Sequence, residues 1–82
     1  MKRMTNLEKY NAVFCEIFNV SESSLGNGFD RDAVPDWDSI RQLSLITMLE
    51  DKFETFFDST DILGLTSYQK GKEILRKYGV EL

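Results

Sequence analysis

The 82-residue sequence contains no histidine, one cysteine and one proline. Without histidine, and with Cys15 as its only thiol, the chain cannot assemble a Ser-His or Cys-His nucleophile or an ordinary zinc site. A single cysteine also excludes an intrachain disulfide, which is typical of proteins from a reducing compartment. We interpret Cys15, which lies within an apolar helical pattern, as a buried structural thiol.

Long hydrophobic runs are absent as well. No stretch reaches the roughly 18 to 20 apolar residues that a membrane-spanning helix requires, and no apolar run follows the initial Met-Lys-Arg as it would in a signal peptide. We therefore predict a cytoplasmic protein without a membrane span. The glycine patterns of nucleotide-binding loops are missing too. The spacing of Asp30, Asp32 and Asp36 resembles a calcium loop, but its glycine and terminal glutamate are lacking.

Negative charge is concentrated in the middle of the chain. The net charge is −4, but residues 21–61 contain ten acidic residues against three basic ones, while both flanking segments are mildly basic. An acidic surface repels the phosphates of nucleic acids and favours partners with basic docking surfaces. A solvated acidic surface that binds no partner is the alternative interpretation of the same charges.

The composition predicts one globular domain over residues 1–82. Apolar residues make up 41% of the chain and aromatic residues 12%, enough to form a small core. No segment alternates β-branched and polar residues, whereas apolar residues recur at helical spacing in several places. We therefore predict an all-α fold, a four-helix bundle with three longer helices and a short third one.

The first predicted helix runs from about residue 6 to 19, with Thr5 or Asn6 as its N-cap. A long loop follows, in which serine, glycine and aspartate predominate. Loops of this length within small domains usually have a function. We expect four apolar residues to anchor it to the core: Leu25, Phe29, Val34 and Trp37.

The second predicted helix begins at Ser39, with Asp38 as its N-cap. Its apolar residues form two stripes on adjoining faces, one with Leu45, Ile46, Leu49 and Phe53 and the other with Ile40, Leu43 and Thr47. A short helical turn is predicted at 61–63, and a last helix follows the N-cap Ser67 and stops near Gly79. Within that helix Gly71 is expected to leave the packing loose.

The segment from Pro35 to Ile40, followed by the sequence LSLITMLEDKF, resembles the acyl and peptidyl carrier protein family. In that family an Asp-Ser-Leu signature opens the second of four helices. The resemblance extends over nearly the whole chain, and the helix that follows contains the Leu-Glu-x-x-Phe pattern at Leu49, Glu50 and Phe53. It implies a bundle of the acyl-carrier type with a long loop between the first two helices.

The resemblance also implies a cofactor and its site. Ser39 matches the serine to which 4′-phosphopantetheine is attached from coenzyme A by a separate magnesium-dependent transferase, and Asp38 matches the residue that helps the transferase to engage. Ile40, Leu43 and Thr47 match partner-facing positions, and the acidic contacts for basic partners are Glu50, Asp51 and Glu54. Ile40 and Leu43 could equally be ordinary core residues.

As a carrier the chain would hold acyl or aminoacyl thioesters and would have no catalytic residues of its own. Its expected partners are the phosphopantetheinyl transferase, a loading ligase and a downstream transferase or synthase. Asp36 and Trp37 before the motif, and Arg41 and Gln42 after it, differ from carriers of primary fatty-acid synthesis. With these residues the sequence looks more like a freestanding, monomeric carrier of a specialised pathway, such as polyketide, nonribosomal-peptide or cell-surface polysaccharide assembly.

Two alternatives use the same residues differently. In the first, the chain is a small acidic adaptor that binds proteins without a prosthetic group, and Ser39 only caps a helix. In the second, Ser39 is the nucleophile of a hydrolase, but the sequence provides no histidine as its general base.

Overall fold

The computed structural model describes residues 3–82, and this part of the chain is all-helical. It contains four α-helices and a 3₁₀ turn at Glu22–Ser24. The helices are α1 (Asn6–Phe18), α2 (Ser39–Phe53), the short α3 (Ser59–Gly64) and α4 (Tyr68–Lys77). The Cα radius of gyration of 11.9 Å agrees with the roughly 12 Å expected for a compact domain of this length. The predicted small helical bundle is thus confirmed, and α3 is longer than the turn predicted at 61–63.

Each helix begins where a side chain can accept a hydrogen bond from its first turn. Thr5 caps α1 in a reciprocal capping box with Glu8, and Ser67 caps α4 by accepting from the amide of Lys70. Helix α1 ends at Asn19, which adopts the left-handed conformation, and the positive φ of 89° at Gly79 follows α4. The predicted starts of α1, α2 and α4 are confirmed because local capping chemistry determines them, whereas α3 begins at Ser59, two residues before the predicted turn.

Four aromatic rings from α1 and the long loop form the centre of the core. Phe14 and Phe18 come from α1, whereas Phe29 and Trp37 come from the loop between α1 and α2. Every pair among the four has ring centroids 5.0 to 6.0 Å apart, and all four side chains are buried. Because such pairs add attraction to the apolar area that they bury, the loop is an integral part of the core.

The long loop is also tied to the junction between α3 and α4 by backbone hydrogen bonds. The amide of Arg31 donates to the carbonyl of Thr66, and the amide of Tyr68 donates to the carbonyl of Phe29, each at 2.9 Å. These bonds flank an isolated antiparallel bridge between Asp30 and Ser67. The prediction of an anchored loop is confirmed, with Phe29 and Trp37 buried and the two other predicted anchors packed at the edge of the core.

A buried carboxylate joins α3 to the end of α4. Asp61 is only 6% exposed, and its two oxygens accept hydrogen bonds from the Lys77 ammonium and the Tyr78 hydroxyl, both at 2.6 Å. The Tyr78 hydroxyl in turn accepts from the amide of Asp58, the N-cap of α3. The hydrogen bonds from Lys77 and then Tyr78 lower the pKa of Asp61 below its ordinary value. This network fixes the short helix, which has few turns of its own to stabilise it.

We expect Asp61 to contribute to the acid sensitivity of the protein. Since the folded-state pKa of Asp61 is lowered, its contribution to stability is present above the unfolded-state pKa of about 3.9 and is lost as the pH falls through the folded-state pKa. Asp61→Asn should therefore lower the urea midpoint at pH 7, and the difference from the wild type should shrink as the pH falls below 4. The matched control is Asp32→Asn, which changes an exposed carboxylate. A difference that stays constant from pH 7 to pH 2.5 would contradict this role.

Gly71 does not loosen α4, contrary to the expectation from helix propensity. It is buried, and a Cβ atom built on it would lie 2.1 Å from the Tyr10 hydroxyl oxygen and 2.9 Å from a methyl carbon of Leu65. Tyr10 is fully buried, and its hydroxyl donates to the carbonyl of Tyr68 at 2.6 Å. The absence of a side chain at position 71 thus provides the space in which the Tyr10 hydroxyl reaches α4.

No helix within residues 3–82 is both long enough and apolar enough to cross a membrane.

Cys15 is half-buried rather than fully buried. The burial of the thiol, and to a smaller extent the nearby negative charge of Glu22, raises its pKa. The thiolate is therefore disfavoured, which supports a structural interpretation of this cysteine.

Candidate functional site

Ser39 is the first residue of α2 and is exposed to solvent. The preceding residue, Asp38, accepts a hydrogen bond from the amide of Arg41 at 2.9 Å through one carboxylate oxygen. Its other oxygen lies 3.5 Å from a guanidinium nitrogen of Arg41 in a surface ion pair. Asp38 therefore determines where α2 begins and leaves the Ser39 hydroxyl at an accessible helix entry.

The loop immediately before Ser39 is held by Gln42. The Trp37 indole nitrogen donates to the Gln42 side-chain oxygen at 2.5 Å. The Gln42 side-chain nitrogen donates to the carbonyls of Ile62 and Leu65, at 3.2 and 3.0 Å. One side chain thus joins the loop, the first turn of α2 and the end of α3 around Ser39.

Replacing Gln42 with leucine should lower the free energy of unfolding by about 1 to 2 kcal/mol. The change removes both hydrogen-bonding groups of the amide and leaves the nearly buried Trp37 indole N–H without a partner, which costs on the order of 1 to 3 kcal/mol per buried group. Urea denaturation followed by Trp37 fluorescence measures the effect. Gln69→Leu, which removes a solvent-exposed hydrogen bond from Gln69 on α4 to Asn27, is the control and should change stability by no more than about 0.5 kcal/mol. Equal effects at both positions would contradict the role of Gln42.

Apolar side chains are exposed next to Ser39. Ile40 is 77% exposed and Leu43 is 67% exposed, and Thr47 one turn further along α2 is exposed as well. The Thr47 hydroxyl donates to the carbonyl of Leu43 at 2.9 Å, so that its methyl group remains for contacts outside the helix. The alternative that Ile40 and Leu43 are ordinary core residues is wrong. The core face of α2 is instead formed by the predicted stripe, with three residues buried and Phe53 half-buried.

The three acidic residues predicted on this helix differ in their surroundings. Asp51 and Glu54 are exposed, whereas Glu50 is half-buried and one of its carboxylate oxygens accepts from the amide of Phe57 at 2.9 Å. Glu54 is the C-cap of α2 and has a φ of 49°. Glu50 thus has a structural role in holding the turn after α2, and Asp51 and Glu54 present the freely solvated carboxylates of this face.

The entry of α2 can accommodate a phosphate ester on Ser39. The capping oxygen of Asp38 engages the amide of Arg41, and the backbone amides of Ser39 and Ile40 have no hydrogen-bond partner within the described residues 3–82. Such amides, together with the positive end of the helix dipole, stabilise a neighbouring anion. The exposed hydroxyl and the two free amides therefore fit the attachment of a phosphodiester-linked group.

No protein-family model matches the chain, and no curated protein matches it significantly. The fold and the geometry around Ser39 define the chain as a small helical bundle with an accessible serine at the entry of α2. Within residues 3–82, no group of three or more His, Cys, Asp or Glu side chains is arranged to hold a metal ion.

Gln42 was not predicted to matter for the site, although its position contained a signal. It lies three, four and seven residues before Leu45, Ile46 and Leu49, and so on the core-facing side of α2. A polar residue on a buried face normally has hydrogen-bond partners. Helical periodicity places the half-buried Gln42 amide towards the core, but it does not show which carbonyls the amide contacts.

Proposed function

We propose that this protein is a carrier of the acyl-carrier type, in which Ser39 holds a 4′-phosphopantetheine arm. The observation that supports it most directly is the exposed Ser39 hydroxyl at the first residue of α2, next to the exposed apolar side chains of Ile40 and Leu43. A serine that only capped the helix would be expected to accept a hydrogen bond from the first turn. In this helix the side chain of Asp38 does so.

The chain itself would act as a rigid handle. The arm, when bound, supplies a thiol that carries acyl or aminoacyl groups as thioesters. Because Trp37 and Gln42 hold the entry of α2 against α3, the point of attachment has a defined position relative to the rest of the bundle. Docking of the bundle on an enzyme would then confine the cargo near that active site and raise its effective concentration. The carrier needs no catalytic group for this.

The surface around Ser39 supports docking by partner enzymes. Ile40, Leu43 and Thr47 offer apolar contact beside the arm, and Asp51 and Glu54 lie further along α2. Depletion of charge at the centre of a contact and charge at its rim are usual in protein interfaces. The transferase, a loading ligase and a downstream transferase or synthase would use this face in turn. A specialised biosynthetic pathway in the cytoplasm is the setting that we propose.

Incubation of the purified protein with coenzyme A, magnesium and a broad-specificity phosphopantetheinyl transferase tests the proposal. We expect the intact mass to increase by one phosphopantetheine group, and peptide mapping to locate the increase at Ser39. Ser44, which is also exposed on α2, is the internal control and should remain unmodified. If a known carrier is loaded in the same reaction but this chain is not, the adaptor alternative replaces the carrier proposal.

A further inference from the structure

Tyr78, the C-cap of α4, holds the N-terminal half of α3 through its hydroxyl group. This hydroxyl donates to one oxygen of the Asp61 carboxylate at 2.6 Å and accepts from the backbone amide of Asp58 at 2.9 Å. Asp58 is the N-cap of α3, and its side chain accepts from the amide of Asp61 at 3.0 Å. One phenol oxygen thus joins the end of α4 to both the cap and the first turn of α3.

The C-terminal half of α3 is held by a different helix. The side-chain nitrogen of Gln42, on α2, donates to the carbonyls of Ile62 and Leu65. The side-chain oxygen of Gln42 accepts from the Trp37 indole nitrogen, and Trp37 lies two residues before Ser39. Helix α3 therefore lies between the end of α4 and the entry of α2 and has hydrogen bonds to both.

The position of α3 depends on these two attachments. Its six residues form fewer than two turns, and helices of this length are not stable by themselves because nucleation is costly. The only fully buried residue within α3 is the carboxylate Asp61, whereas each longer helix buries several apolar side chains. Releasing one attachment should therefore loosen the helix as a whole, including the carbonyls at its other end.

We propose that Tyr78 and Asp61 are positioning residues for the serine-bearing entry of α2, on which they act through α3 and Gln42. Without the Tyr78 hydroxyl, α3 is held from one side only, and the two carbonyls that bind the Gln42 amide are no longer fixed. Gln42 then holds the Trp37 indole less firmly. The coupling between the two ends of α3 is a property of the fold, whereas its consequence for the loading of Ser39 rests on the proposed carrier function.

Hydrogen exchange of the Trp37 indole N–H measures the coupling directly. Trp37 is the only tryptophan of the chain, so its indole N–H gives a single signal in the NMR spectrum of a ¹⁵N-labelled sample. Tyr78→Phe removes the hydroxyl but retains the ring, which packs against Phe57 with ring centroids 5.4 Å apart. We expect indole exchange at least about fivefold faster than in the wild type, as for the loss of one hydrogen bond. Asp61→Asn should also accelerate it.

Val13→Ala is the matched control for a general loss of stability. Val13 is 1% exposed on α1, and its truncation weakens the core but removes none of these hydrogen bonds. Tyr78→Phe should accelerate indole exchange at least about fivefold more than Val13→Ala does, because local opening is added to global unfolding. Equal acceleration in the two variants would mean that Tyr78 contributes to global stability alone, and would overturn the proposal.

Gln42→Leu tests the route of the coupling. In this background the Trp37 indole N–H has already lost its acceptor. Adding Tyr78→Phe should therefore change indole exchange by less than about twofold, a non-additive result that indicates coupled residues. If Tyr78→Phe accelerates exchange as strongly in the Gln42→Leu background as in the wild type, the effect does not pass through Gln42 and the proposal is wrong.

The kinetics with which the transferase loads Ser39 measure the consequence for the site. If the entry is ordered for only part of the time, the apparent KM for the carrier rises in inverse proportion to that fraction, and kcat stays nearly constant. We expect Tyr78→Phe to raise KM at least about threefold and Val13→Ala to leave it unchanged, at a temperature where both are folded. Equal KM values for these two variants would overturn the positioning role. If the wild type itself is not loaded, the carrier proposal fails and indole exchange alone decides the coupling.

Discussion

Ser39→Ala protein is expected to keep its unmodified mass after incubation with coenzyme A, magnesium and a phosphopantetheinyl transferase, whereas the wild type gains one phosphopantetheine group. The change removes the only atom to which the phosphodiester could be joined at this site. Because Ser39 is exposed and Asp38 provides the helix cap, the variant should fold normally, with a thermal midpoint within about 2 to 3 °C of the wild type. Intact-mass spectrometry measures the loading, and circular dichroism confirms the fold.

Two further variants separate the serine from its surroundings. Ser44→Ala should load at the wild-type rate, because Ser44 lies on the same helix but not at its entry. Asp38→Asn preserves a good N-cap while removing the charge, so it should retain stability but load more slowly if the transferase recognises the carboxylate. Loading of Ser39→Ala at another residue would refute the assignment of the site. An unchanged loading rate in Asp38→Asn would restrict Asp38 to the capping that its geometry already shows.

Gly71→Ala is expected to destabilise the protein by about 2 to 3 kcal/mol, although alanine is the better helix former by about 1 kcal/mol. The new methyl group would overlap the Tyr10 hydroxyl, and over-packing of this kind costs roughly 1 to 3 kcal/mol. Moving Tyr10 would also break its buried hydrogen bond to the carbonyl of Tyr68, at a further cost on the order of 1 to 3 kcal/mol. The thermal midpoint should fall by roughly 10 to 20 °C.

A double-mutant cycle with Tyr10→Phe identifies the cause. Removing the hydroxyl eliminates the closest overlap, so Gly71→Ala should cost less in the Tyr10→Phe background than in the wild type. Gly64→Ala is the control glycine substitution, since nothing lies within 4 Å of a Cβ at that position. It should be neutral or slightly stabilising. If the costs of Gly71→Ala in the two backgrounds are equal, the Tyr10 hydroxyl is not the reason for glycine at this position.

The largest difference between expectation and structure concerns residues whose partners lie outside their own helix. Gly71 suggested a weak helix because helix propensity depends only on the neighbouring residues of the chain. The side chain that requires glycine there is Tyr10, which lies 61 positions earlier. Glu50 suggested a surface carboxylate because nothing local revealed the amide of Phe57 as its partner. Asp61, buried beside Lys77 and Tyr78, was equally hidden. In each case the deciding contact reaches beyond the helix that contains the residue, and helical periodicity does not specify such contacts.

The amino-acid sequence was enough to predict the helical class, the starts of the three longer helices and the position of Ser39 at a helix entry. Helical periodicity and capping depend on residues within one or two turns of each other, so they can be read along the chain. The exposure of Ile40 and Leu43 to solvent became clear only from the packed helices. Only the tertiary structure showed that Gln42 holds the loop before Ser39 against α3, and that Tyr78 holds the other end of α3. These outcomes depend on which surfaces the helices cover when they pack, and burial is a property of the assembled fold.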